Sequence, residues 1–200
     1  MSPALRRPVK PVPKTFMRII AGEFRGRILK SPADSRTRPT SDRLRETLFN
    51  ILAPRIGEDT RLLDLCAGTG AVGIEALSRG AEFVTFVDKS RRSCALIEEN
   101  LDLLCIDESK TEVVALPAEN FSGRNHPLGW DIAFFDPPYD TNYSLVLFDF
   151  GAAEATLLRD DGVLIAEHHS KNVLPDASGH LRRWRILKQG DTCLSFYERS

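Results

Sequence analysis

The chain has 200 residues, 42% of them hydrophobic and 28% charged, and a formal net charge of −1. That length suits one domain with a sizeable core rather than two, and no run of about 18 apolar residues is present, so no membrane span is expected. Cys66, Cys94, Cys105 and Cys193 have neither CxxC spacing nor a histidine cluster beside them. Buried or partly buried free thiols are therefore expected in place of a zinc site or a disulfide framework. The N-terminus lacks the apolar segment of a secretory signal, and four prolines in its first thirteen residues oppose the amphipathic helix of a transit peptide. A cytoplasmic location is the expectation.

Residues 1–16 are basic and proline-rich and are expected to be a disordered tail. A single domain is expected over 17–200, with 17–54 as a basic arm and helix. MRIIAG and FRGRILKSP read as two short strands around Gly22. SRTRPT reads as an extended basic loop, because Pro39 disfavours helix at Arg38. A helix follows from about Arg43 to Leu52, capped by Ser41 or Asp42 and ended by Pro54. Leu44, Leu48, Ile51 and Leu52 share one face of it, with Phe49 beside them.

Strands and helices then alternate: strand 61–66, helix 71–80 closed by Gly80, strand 83–88, helix 90–104, strand 111–116, strand 130–136, helix 144–158 and strand 162–169. WRILKQG and TCLSFYER form a terminal antiparallel hairpin turning at Gly190-Asp191. The repeated βαβ pattern predicts an α/β fold with a mostly parallel, helix-covered sheet. The terminal hairpin does not belong to a simple dinucleotide-binding fold.

The near-zero net charge conceals an asymmetry. Residues 1–45 hold twelve Lys/Arg against three Asp/Glu, whereas the remainder holds fifteen against twenty-five. A basic end on an otherwise acidic chain suggests an anionic partner. Arg25, Arg27, Arg36, Arg38, Arg43 and Arg45 are the candidate contacts, with Lys30 among them, on a loop expected to rim the mouth of the active site.

After the first sheet strand the chain reads Asp64-Leu65-Cys66-Ala67-Gly68-Thr69-Gly70-Ala71-Val72-Gly73. Gly68, Gly70 and Gly73 match GxGxxG, a weak signal that fits a nicotinamide dinucleotide as well as S-adenosylmethionine. A glycine loop between strand and helix lets backbone approach a ligand closely at the carboxyl edge of the sheet. Asp64 favours S-adenosylmethionine, since an acid there can face the cofactor's ammonium and would repel a pyrophosphate. Asp88, ending the next strand, is placed to accept hydrogen bonds from ribose hydroxyls; it fixes a nucleoside without choosing the cofactor.

Asp136-Pro137-Pro138-Tyr139 follows the strand WDIAFFD. An exocyclic amine on a nucleobase is a poor nucleophile because its lone pair is delocalised into the ring. A carboxylate and a backbone carbonyl, each accepting one N–H, draw the nitrogen toward a tetrahedral shape and aim its lone pair at a methyl donor. Asp136 also stabilises the positive charge that develops on nitrogen. Pro137 stiffens the loop and removes a competing donor, and Tyr139 offers a flat face for a base taken out of its stack. This chemistry requires no metal.

These residues resemble the RsmD family, which methylates N2 of one guanine in small-subunit ribosomal RNA (the guanine-966 type). The matching stretches, from Met17 to about Arg199, are MRIIAG, FRGRIL, RPTSDRLRETLFNIL, LLDLCAGTGAVGIEALSRGA, FVDKS, FFDPPYD and GDTCLSFYE. The loop and tetrapeptide are shared by many amino-methyltransferases, whereas RPTSDRLRETLFNIL beside MRIIAG is more specific.

The resemblance implies a class I S-adenosylmethionine-dependent methyltransferase fold: Rossmann-like and seven-stranded, with the last strand inserted antiparallel. It implies Asp64, Gly68 and Gly70 at the cofactor, with Cys66, Ala67, Lys89, Ala118 and Glu119 as neighbouring cofactor candidates. Asp88 is implied at the ribose and Asp136 to Tyr139 at the target base. Phe49, Thr40, Arg45 and Glu46 would border the site. The implied substrate is ribosomal RNA, naked or within a 30S particle.

Pro117 stands where related sequences usually carry Asp or Asn for the adenine amine, so either Glu119 takes that part or adenine is held by backbone and apolar contacts. His168 and His169 are expected in structural or surface roles. Four rival readings fit the residues less well. The tetrapeptide does not exclude an amino-methyltransferase of DNA adenine or cytosine, or of a different RNA base, but the absence of a separate target-recognition domain counts against DNA; a protein glutamine methyltransferase would begin its tetrapeptide with Asn. A non-catalytic RNA-binding module would be expected to have lost the loop or Asp136, and an NAD-dependent oxidoreductase leaves Asp136 to Tyr139 unexplained.

Overall fold

The computed structural model describes residues 17–32, 42–124, 126–138 and 141–200. The tail 1–16, the SRTRPT loop and Tyr139 lie outside the described residues. An eight-stranded sheet has the order β5-β4-β3-β6-β7-β10-β9-β8. Its strands are β3 (Arg61–Leu65), β4 (Phe83–Val87), β5 (Thr111–Val114), β6 (Trp130–Phe135), β7 (Leu158–His169), β8 (Ala177–Ser178), β9 (Leu181–Gln189) and β10 (Thr192–Arg199). β3 to β7 pair in parallel. β10 inserts antiparallel between β7 and β9. β8, two residues long, is the strand beyond the seven expected.

The sheet is apolar on both faces, and that explains its unbroken hydrophobic runs. In β6, Ile132 and Phe134 enter one core while Ala133 and Phe135 enter the other. Fully burying such large side chains stabilises the fold by about 1.5–3 kcal/mol each. The first core lies under α1 (Asp42–Leu52), α2 (Ala71–Ser78) and α3 (Arg91–Leu103); the second lies under α4 (Ala118–Ser122) and α5 (Tyr143–Gly151). Gly73 brings α2 hard against β4: a Cβ there would lie 2.2 Å from the Phe86 ring.

The N-terminal arm pairs β1 (Met17–Arg18) with β2 (Ile28–Leu29) and is fastened to α2. The buried Glu75 carboxylate accepts the N–H groups of Ile20 at 2.7 Å and Ala21 at 3.0 Å. Ser78 Oγ accepts the Phe24 N–H at 3.0 Å. At Gly22, with φ +83°, a Cβ would stand 1.7 Å from the Ser78 carbonyl oxygen.

Three local expectations differ from the structure. α5 stops at Gly151, not at residue 158, and Leu158 already belongs to β7. A Cβ at Gly151 would lie 1.9 Å from the Ser178 carbonyl, and Arg199 donates to the carbonyls of Phe150 at 3.2 Å and Ala155 at 3.1 Å. A cation from β10 thus satisfies oxygens that the helix end leaves unpaired. Cys105 is exposed, with φ 54°, while Cys94 and Cys193 are buried. The short helix α4 sits where none was anticipated. Among the described residues no helix is long and apolar enough to cross a membrane.

Candidate cofactor cleft and active site

The carboxyl ends of β3, β4, β6 and β7 open into a cleft of about 750 Å³. That is within the usual range for a small-molecule site and roomy enough for a nucleoside cofactor with a base beside it. Asp64 and Cys66 to Thr69 line it, as do Asp88, Lys89, Ala118, Glu119 and Asp136 to Pro138.

The loop after β3 turns through three left-handed residues: Cys66 at φ 63°, Gly68 at 58° and Gly70 at 76°. A Cβ on Gly68 would meet nothing nearer than the Cys66 carbonyl at 4.0 Å, so the cleft can be filled against bare backbone there. Gly70 behaves differently. It is buried and does not line the cleft; its Cβ would face Ile97 and Phe86 at 3.3 Å. Its place is the inward turn that starts α2, one residue removed from the cleft lining, where a cofactor contact was expected.

Asp64 is 2% exposed, and its Oδ2 accepts the Gly73 N–H at 3.0 Å in the first turn of α2. Burial raises its pKa to about 7, opposed by that hydrogen bond and reinforced by Asp88. The Asp88 carboxylate is oriented by two backbone donors, Gly68 N–H at 3.0 Å and Ser90 N–H at 2.8 Å. The Cys66 thiol is pushed up to about 12, first by burial and then by Asp88, Asp136, Asp64 and Glu119. Four carboxylates therefore converge on one end of the cleft. Such a field suits a cationic ligand such as a sulfonium with an ammonium group, and disfavours a pyrophosphate.

Pro117 caps α4 without reaching the cleft, and Ala118 and Glu119 face it in its place. The Asp136 N–H donates to the Leu65 carbonyl at 3.3 Å, tying the β6 loop to β3. Pro137 is buried and Pro138 exposed.

Part of the lining was not foreseen: Tyr143, Glu167, His168 and His169 also face the cleft, together with the hairpin residues Gln189, Gly190 and Thr192. The Tyr143 hydroxyl donates to the Glu167 carbonyl at 3.1 Å. His168 is buried, its Nε2 lies 2.9 Å from Ser195 Oγ, and burial lowers its pKa. The signal available in the sequence was the position of Glu167 to His169 at the end of a parallel strand, the edge where open α/β sheets bind ligands.

The basic arm departs from expectation. Arg45 is 0% exposed: it donates to the Arg18 carbonyl at 2.5 Å and to Asp42 at 3.1 Å. A guanidinium enclosed in this way presents no surface to phosphate, although the residue does form part of the cleft floor with Leu44. Arg27 donates to the Leu103 carbonyl at 3.2 Å. Leu103 ends α3, ten residues or about 15 Å along the helix from the cleft residue Ser93. Arg25 is exposed in the turn beside Gly22, near the far end of α2. Neither Arg25 nor Arg27 rims the mouth. Among the described residues before α1, Met17, Ser31 and Pro32 line the cleft. Lys30 pairs with Glu99 at 3.0 Å, and Arg43 is exposed in the first turn of α1. Arg36, Arg38 and Thr40 lie outside the described residues. Phe49 is fully buried with the Arg79 guanidinium 4.8 Å over its ring, and Glu46 is exposed away from the cleft; neither borders the site. Among the described residues no cluster of three or more His, Cys, Asp or Glu side chains is suited to a metal ion.

A mainly parallel sheet with an antiparallel strand β10, and a cleft lined by acids at its carboxyl edge, define a class I S-adenosylmethionine-dependent methyltransferase fold. The family profile described as conserved hypothetical protein 95 matches residues 17–198, and the chain belongs to that family, the RsmD family. The ribosomal RNA small subunit methyltransferase D of Haemophilus influenzae is 33% identical, over 94% of this chain and 94% of its own length. Its namesake from Escherichia coli strain K12 is 35% identical, over 92% of this chain and 90% of its own. Among solved structures, the Escherichia coli methyltransferase candidate yhhF superposes with a TM-score of 0.80 at 31% identity, covering 93% of this chain and 99% of its own.

Proposed function

We propose that the protein methylates the exocyclic N2 amine of one guanine in 16S ribosomal RNA, of the guanine-966 type. The observation that carries this reading is the opening of Asp136-Pro137-Pro138 into the same cleft as the glycine loop and Asp88. The names of the Haemophilus and Escherichia relatives support ribosomal RNA as the substrate.

S-adenosylmethionine, when bound, supplies an electrophilic methyl group on a sulfonium. Its adenosine would lie against the bare backbone at Gly68, with its hydroxyls toward Asp88, its ammonium toward Asp64, and Ala118 and Glu119 beside the adenine. Asp136 accepts one N–H of the target amine and a backbone carbonyl of the proline loop accepts the other. The nitrogen lone pair is thereby freed from the ring. As positive charge grows on nitrogen, the Asp136 carboxylate stabilises it more strongly than it stabilises the neutral amine, which is the condition for lowering the barrier. Pro137 has no N–H to compete for that carboxylate.

The test is incubation with methyl-labelled S-adenosylmethionine and, separately, 16S ribosomal RNA, 30S particles, DNA and protein. The expected result is label in the RNA, recovered as N2-methylguanosine after digestion. Label in DNA or protein, or in another nucleoside, overturns the proposal.

A further inference from the structure

The register of the sheet places a second carboxylate beside Asp136. Phe135 of β6 pairs with Ala166 of β7 in parallel, so the next residues, Asp136 just past the end of β6 and Glu167 within β7, stand side by side. Adjacent strands are about 4.8 Å apart. Two neighbours fix the face that Glu167 takes. Along β7, Ile165 belongs to the core under α1–α3 and Ala166 to the other core. Strand alternation therefore returns Glu167 to the face of Ile165. Across the antiparallel ladder, Glu167 pairs with Leu194, which belongs to that same core. Directly opposed residues share a face, so both arguments agree. Glu167 lines the cleft and is half-buried, and the Tyr143 hydroxyl holds its backbone carbonyl at 3.1 Å.

The chemistry of amine-bearing bases gives this placement a meaning. In adenine and cytosine the ring nitrogen next to the exocyclic amine carries a lone pair. In guanine the 2-amino group lies between N3, which carries a lone pair, and N1, which carries a hydrogen. A carboxylate on the N1 side of the amine attracts the guanine edge and repels the matching edges of the other two. An ionised carboxylate accepts and does not donate, so it separates these edges by the sign of the interaction, not by its strength.

We propose that Glu167 reads the base: its carboxylate accepts the ring N1–H of the target guanine while Asp136 engages the neighbouring amine. The inference rests on the methyltransfer reading given above and deepens it. Glu167 is a specificity-determining residue, and two carboxylates on adjacent strand ends form one receptor for the donor face of guanine.

The experiment replaces the target guanine with 2,6-diaminopurine in the RNA, or in 30S particles assembled from it. That base keeps the 2-amino group but has a lone pair at N1. Wild-type protein and Glu167→Gln are compared on both bases, with S-adenosylmethionine affinity measured in parallel. Wild type is expected to lose about 100-fold or more in kcat/KM on 2,6-diaminopurine, in keeping with sites that hydrogen-bond a particular donor. Glu167→Gln, whose amide both donates and accepts, is expected to lower kcat/KM on guanine and to bring the ratio between the bases below about tenfold. Cofactor affinity should stay within about twofold. A merely structural role would lower both rates together and leave the ratio unchanged, and that result overturns the inference alone. Failure of the wild-type protein to label RNA at all overturns the underlying substrate reading and the inference with it.

Discussion

Arg45 and Glu75 form an ion pair with both side chains wholly removed from solvent, Nε to Oε2 3.9 Å. Glu75 simultaneously accepts two N–H groups of the arm and Arg79 Nε at 2.8 Å. The pair joins α1, α2 and the arm behind the cleft. Breaking one member leaves the other charged and buried. Glu75→Ala should cost about 3–5 kcal/mol of unfolding free energy. Arg45→Met combined with Glu75→Gln should recover much of that loss, because the double variant removes both charges of the pair together. Urea titrations of the single and double variants test this; equal losses in both contradict it.

Asp64 links cleft ionisation to pH. Its folded pKa, about 7, lies above its ordinary value of 3.8. The folded protein thus keeps a proton that the unfolded chain releases. Stability attributable to Asp64 is greatest below about pH 4, falls as pH rises toward 7 and levels off above it. A shift of that size corresponds to about 4 kcal/mol. Asp64→Asn should remove this slope, read as the pH-dependent difference between wild type and variant in urea denaturation. A difference that does not change from pH 4 to pH 8 is inconsistent with it.

The same ionisation should govern cofactor binding. An ammonium group favours the charged form of Asp64. S-adenosylmethionine affinity is therefore expected to rise about tenfold per pH unit below 7 and to flatten above it. Calorimetry across that range provides the check, and Asp64→Asn should bind weakly with little dependence on pH.

Asp88→Ala removes the acceptor for the Gly68 and Ser90 N–H groups and, in the proposed cofactor placement, the acceptor for ribose hydroxyls. The expected loss in cofactor binding is about 1.5–3 kcal/mol per hydrogen bond to the charged oxygen. Unchanged affinity by calorimetry would remove Asp88 from the cofactor site.

Asp136→Ala should bind S-adenosylmethionine nearly as wild type does, because its main interaction strengthens in the transition state. The expected fall in kcat is about 100-fold or more, by comparison with other charge-stabilising groups. Single-turnover labelling of RNA measures it, and turnover within a few-fold of wild type refutes the assigned role.

Gly73→Ala probes the packing that seats the loop. Its methyl group would fall 2.2 Å from the Phe86 ring, and overpacking of this kind costs about 1–3 kcal/mol. Because Gly73 also donates to Asp64, cofactor affinity should fall with it. Adding Phe86→Leu should relieve the overlap. Thermal melts and calorimetry on the single and double variants would show whether stability and affinity return together.

The alternation of strands and helices, the glycine loop, and the acids Asp64, Asp88 and Asp136 at three strand ends were all legible in the chain before folding. Those features are local: hydrophobic period, turn residues and position relative to a strand end are all written in neighbouring residues. Only the tertiary structure decided which way Gly70 and Arg45 face, where α5 ends, and that Glu167 stands beside Asp136. Glycine spacing marks a turn but not which side of it meets ligand, so Gly70 faces Phe86 while Gly68 faces the cleft. A helix end depends on partners for its free carbonyls, and here the partner is Arg199, nearly fifty residues away. Arg45 reads as a surface cation until Glu75, Asp42 and the arm enclose it. The neighbour of Asp136 is set by pairing between β6 and β7, whose register follows from burying Phe134 and Ile165 on one face and Phe135 and Ala166 on the other.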